Sequence, residues 1–322
     1  MREQANCKEK VSKTSGFGIL RFGLRWDLKT GVINKVSKLK MSFEKPKFNS
    51  KNYESRPQLP HEILMSLRKL MEDYFKSKSD VEKAEIERNQ RELIGRLKEQ
   101  AREILGKAED PNTPEKDRDR LMAEYGFIMD QMAINLPWSE MIQGNTQDIQ
   151  NEALEKLQRY LEQHPQAKEV ARSIFMLFHH GAGIDKNLSI DAYQRMLQNQ
   201  PPTEEFAREY VNAEERAKPF LERYIALTFG KEKFSLDDDY QELIGLIGPK
   251  QLSQEQLSCI IDAANWYRRI SYYQRVANLD KDREINLRRA IELHKKLAEV
   301  DPIFDKLLDT IYREQGIEKS DH

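Results

Sequence analysis

Cysteine is nearly absent from this chain. Cys7 and Cys259 are the only two in 322 residues, too few for a disulfide framework or a cysteine-rich zinc site, so a reducing compartment is the expected setting. Long apolar runs are missing as well. The longest, Ile174 to Phe178, falls far short of the roughly 18 to 20 residues that a membrane span needs. The N-terminus lacks the apolar stretch of a signal peptide, and Glu3 and Glu9 argue against an acid-poor transit peptide. These absences predict a soluble, cytoplasmic protein without an anchor. Glycine and proline are scarce at 14 and 12 residues, and β-branched residues are few beside Leu, Glu, Lys, Arg, Gln and Ala. That composition starves strands and favours helices.

What is present fits that reading. Hydrophobic residues make up 39% and charged residues 33%, with a mean hydropathy of -0.79, as expected of helices that bury one stripe and expose the rest. The formal net charge of -1 conceals an asymmetry: residues 1 to 51 carry 13 Lys or Arg against four acids, leaving 40 basic and 50 acidic residues in the remainder. Residues 1–56 show no sustained helical period and hold Gly16, Gly18, Gly23 and Gly31; they read as a flexible basic arm. Met41-Ser42-Phe43-Glu44 reads as an alternative start of the chain.

From Leu59 onward a 3.6-residue period predicts about eleven helices, an all-α multi-helix bundle or irregular α-solenoid. We divide it into an N-terminal helical subdomain, 57–145, and a C-terminal bundle or solenoid, 146–322. Ser79-x-x-Glu82 and Ser253-x-x-Gln256 read as capping boxes. Thr113, Thr146 and Thr203 read as N-caps, and Trp138 to Asn145 as a connector. Gly181 and Gly183 read as stop signals. Ala153, Leu157, Tyr160 and Pro165 recur in offset as Ala290, His294, Leu297 and Pro302. The second set resembles the second helix of a tetratricopeptide repeat over about 13 residues, with His294 where that pattern favours an aromatic.

Four constellations could carry chemistry. His179-His180 precedes Gly181-Ala182-Gly183 and Asp185. Neighbouring helical positions diverge by about 100°, so the two imidazoles do not converge on one metal without Glu169 or Arg172; the expected role is capping a helix C-terminus. Asp238-Asp239-x-x-Glu242 resembles the aspartate-rich motif of all-α isoprenoid synthases, which implies Mg²⁺ and a diphosphate held by Asp238, Asp239 and Glu242. The competing reading is acids at a helix N-terminus. Trp266, Arg269 and Tyr273 share a flank at three- and four-residue spacing and form the expected binding surface, since these side chain types dominate interface hot spots. Finally, Arg21, Arg25, Lys35, Lys38 and Lys40 could hold anionic lipid or nucleic acid. Together they point to a helical protein-interaction module without catalysis or cofactor, with a diphosphate enzyme and an anionic-surface binder as alternatives.

Overall fold

The structure is a computed structural model that describes residues 61–198, 200–248, 252–280 and 282–317. These residues form twelve α-helices and one short 3₁₀ helix, with no strand among them, so the chain is all-α as its composition predicts. The basic arm, with Arg21, Arg25, Lys35, Lys38 and Lys40, lies outside the described residues. In chain order the helices are α1 (His61–Lys76), α2 (Asp80–Glu109), α3 (Glu115–Ile134), α4 (Trp138–Met141), α5 (Asn145–Gln163) and α6 (Lys168–His179). They continue as α7 (Lys186–Leu197), α8 (Glu204–Thr228), α9 (Tyr240–Leu246), α10 (Gln254–Val276) and α11 (Arg283–Val300). Pro302–Phe304 is the 3₁₀ turn that leads into α12 (Asp305–Gln315). No helix among the described residues is long and apolar enough to cross a membrane.

Packing largely follows chain order. α1 lies on α2 and α2 on α3, α3 packs on α5 and α6, α6 on α8, α8 on α10, and α10 on α11. One continuous apolar core runs through this stack from Ile63 to Leu307. The helix that the sequence period did not predict, α4, occupies part of the expected connector and buries Trp138 and Met141.

The caps show where local signals decide a helix start and where tertiary partners do. Ser253 and Gln256 complete a reciprocal capping box on α10, and Thr203 caps α8 through the amide of Phe206. Ser79 caps α2 through the amide of Glu82 at 3.4 Å, but the Glu82 carboxylate accepts instead from the Ser77 hydroxyl at 2.5 Å, so only half of that box forms. The two remaining threonines are not caps. Thr113 Oγ1 donates to the Lys107 carbonyl at 2.7 Å, and Thr146 Oγ1 donates to the Ala133 carbonyl at 3.3 Å. Each hydroxyl satisfies an end carbonyl of an earlier helix, where no further turn supplies an N–H.

Gly126 lets three helices meet. A Cβ there would lie 2.6 Å from Leu157 Cδ1 on α5 and 3.0 Å from Ser173 Cβ on α6, and Leu157 is fully buried. By contrast, a Cβ at Gly95 on α2 meets nothing within 4 Å. Gly126→Ala therefore destabilises the fold by about 1 to 3 kcal/mol through overpacking, whereas Gly95→Ala stabilises it by about 0.5 to 1 kcal/mol through helix propensity. Urea denaturation of the two variants checks both signs; equal effects would remove close packing as the reason for Gly126.

Candidate functional site

The polar centre of the core forms where α6 ends. His180 caps α6, Gly181 follows with φ +106, and the amides of Gly181 and Ala182 reach back to the carbonyls of Phe178 and Leu177 at 2.9 Å each. This double reach-back is a Schellman motif, which needs a residue tolerant of positive φ at the position Gly181 holds. The motif turns the chain into α7, whose N-cap is Asp185, accepting from the amides of Asn187 and Leu188.

The two histidines at this end diverge, as adjacent helical positions must, and each meets its own carboxylate. His180 Nδ1 sits 2.8 Å and 3.0 Å from the two oxygens of Asp130 on α3. His179 Nδ1 lies 2.9 Å from Glu214 Oε1 on α8. The ring centroids are 5.7 Å apart, and among the described residues no group of His, Cys, Asp and Glu is arranged to hold a metal ion. Their role goes beyond the expected capping: both rings are buried in the core and tie α6 to α3 and to α8.

Trp266, Arg269 and Tyr273 face this same seam. Their exposures are 1%, 7% and 0%, so the flank predicted as an outer binding surface is an interior one. Trp266 Nε1 donates to the Glu214 carbonyl at 3.0 Å. Arg269 Nε is 3.6 Å from Glu214 Oε1, and its guanidinium lies 5.0 Å over the ring of Tyr210. Tyr273 stacks on Tyr210 with centroids 3.9 Å apart, and the Tyr210 hydroxyl donates to the His179 carbonyl. The helical period found the face; burial comes from α8 and its neighbours covering it. Fourteen of the 23 residues of α10 are buried, more than one apolar stripe can account for.

Electrostatics in this closed volume are set by burial. Glu214, 0% exposed, has its carboxyl pushed well above the usual range by burial, with Glu215 adding to the shift. His179 is held well below the ordinary imidazole value by burial and by the nearby cations Arg269 and Arg268. Burial also lowers Arg269 to about 10, so it remains a cation at neutral pH. Glu214 and Arg269 stand within ion-pair distance, yet Glu214 Oε1 and Oε2 and Arg269 Nε and Nη1 make no aligned hydrogen bond. Such a pair is costly to desolvate, and its attraction offsets that cost only where the geometry is good and further hydrogen bonds satisfy both groups.

The remaining candidates sit at the surface. Asp239 accepts from the Ser235 amide at 2.8 Å, Asp238 from the Ser235 hydroxyl at 3.0 Å, and Glu242 pairs with Lys231. Asp237 joins Lys218 and Arg289; burial raises its carboxyl, and the two cations outweigh that and bring it below its ordinary value. The acids thus serve the turn that opens α9. Comparison with protein-family models, curated proteins and solved structures finds no match to this chain. Asp130 and Glu214 had escaped the sequence reading, although each is a charge on an otherwise small or apolar face, with Gly126 and Ala133 flanking the first, and Tyr210 and Ala217 the second.

Proposed function

We propose that this protein is a helical protein-interaction scaffold of the cytoplasm, without intrinsic catalysis, and that its binding face is the outer side of α2. The observation that carries this reading is the shape of α2. It is 30 residues long, of which only eight are buried, so a ridge about 45 Å long stands open beside α1 and α3. It carries alternating acidic and basic side chains and, at its start, Val81 at 81% exposed. Another protein is the ligand class that fits an extended charged ridge.

The test is affinity capture from native lysate with the full chain, reconstitution with the purified partner, and titration of Glu92→Arg/Glu99→Arg. We expect a stoichiometric complex that weakens at least tenfold in this exposed double variant without loss of stability. Unchanged binding would remove α2 as the face. Heat from Mg²⁺ plus diphosphate that disappears on Asp238→Asn would replace the scaffold reading with the enzyme one. The charge of residues 1–51 favours a second activity, contact with anionic lipid or nucleic acid. Co-sedimentation with acidic vesicles or DNA that survives removal of residues 1–40 would count against it.

A further inference from the structure

Beside the histidine seam lies a cavity only about the size of one water molecule. Its lining includes Gly181, Ile184 and Phe206 together with three residues that carry polar side chains, His180, Ser189 and Gln147. All three are more than nine-tenths buried. His180 Nε2, Ser189 Oγ and Gln147 Oε1 make no hydrogen bond to the protein. Three orphaned groups around one small cavity are costly unless something answers them.

Their chemistry specifies what that is. When the Nδ1–H of His180 donates to the Asp130 carboxylate, Nε2 of the neutral ring is left as an acceptor. Gln147 Oε1 is a second acceptor, and the Ser189 hydroxyl supplies a donor. Tyr210 also lines the cavity, but its hydroxyl is committed to the His179 carbonyl. The required occupant gives two hydrogens, takes one, and has the volume of a single heavy atom. We propose that the cavity is a built site for one internal water, which donates to His180 Nε2 and Gln147 Oε1 and accepts from Ser189 Oγ. The water completes a relay from Asp130 through His180 to Ser189, and so joins α3, α5, the α6 terminus and α7 without a direct side-chain contact between all four.

Nuclear magnetic resonance on the deuterated full chain tests this. The expected result is His180 as the Nδ1–H tautomer, together with cross-relaxation from a long-lived water to the amides of Gly181 and Ser189. In Ser189→Ala the residence of that water falls about tenfold, the equivalent of one lost hydrogen bond, while the His180 tautomer is kept. In Ser189→Val the added methyls take the water's place and the cross-relaxation is lost. His180 found as the Nε2–H tautomer, no long-lived water in the unaltered chain, or an unchanged water signal in Ser189→Val would each overturn the proposal. Because Ser189→Ala removes one oxygen and adds nothing, it keeps the test informative if the valine variant folds poorly.

Discussion

Glu214→Leu is expected to destabilise the fold by about 3 to 5 kcal/mol, and adding Arg269→Met is expected to recover most of that loss. The first substitution removes the only carboxylate within ion-pair distance of Arg269 among the described residues. The guanidinium then stays charged, because even after burial its pKa is about 10, and it is left 7% exposed with no carboxylate within ion-pair distance, since Glu314 and Asp130 act on it only from farther away. Breaking a buried pair from one side carries this penalty, whereas replacing both partners by apolar groups of similar volume is close to neutral or stabilising. Arg269 also shares its site with the stacked rings of Tyr210 and Tyr273, against which a methionine stem packs well. Guanidinium denaturation of the two single variants and the double variant gives the coupling energy directly. A double variant no more stable than Glu214→Leu would show that the pair is not the source of the loss. A small effect of Glu214→Leu would show that Glu214 is protonated in the fold and already leaves Arg269 uncompensated.

The sequence made the helices legible because their signals are local. Apolar spacing, the Ser253 capping box and the Thr203 cap each lie within four residues of what they control. Thr113 and Thr146 misled for the converse reason. A threonine before a helical run has the chemistry of a cap, but here its hydroxyl serves a carbonyl 6 or 13 residues away, and only the folded chain brings them together. The seam was half legible. Trp266, Arg269 and Tyr273 stood out as one face of a helix, and the divergence of His179 and His180 followed from helical geometry alone. What the face meets could not be read, because Asp130 lies 50 residues from His180 and no spacing rule links Glu214 on α8 to His179. A charge placed on an apolar register, as at Glu214 between Tyr210 and Ala217, was the available signal. The tetratricopeptide-like offsets have a plain physical meaning too: Ala153 and Leu157 on α5, and Ala290, His294 and Leu297 on α11, are core positions, so both helices repeat one burial pattern.

Acidification from pH 6.5 to 4 is expected to cost about 3 kcal/mol of stability at His294 alone, and His294→Phe is expected to abolish that part of the loss. His294 is 1% exposed and lies near Arg268. Its pKa is lowered from 6.5 to about 4, chiefly by burial, with the hydrogen bond to Ala290 partly opposing. That bond, 2.7 Å from Nδ1 to the Ala290 carbonyl, is one that the neutral ring makes as donor, so the site does not need a charged imidazole. Below pH 6.5 the unfolded chain takes up a proton at His294 that the folded chain refuses. The contribution is therefore complete above pH 6.5 and is lost as pH falls toward 4, at about 1.4 kcal/mol per unit. His179 is shifted in the same direction and steepens the same limb. Glu214, shifted upward, works the other way: its contribution is complete below the unfolded value near 4.5 and declines as pH rises. Phenylalanine at 294 removes one acid-sensitive group and supplies an aromatic at a core position. The variant's stability against pH, measured by denaturant unfolding at half-unit steps, should be flatter than that of the parent by about 3 kcal/mol between pH 6.5 and 4, leaving the His179 part in place. An unchanged slope would mean that water reaches His294 in the folded chain and that this helix interface is open.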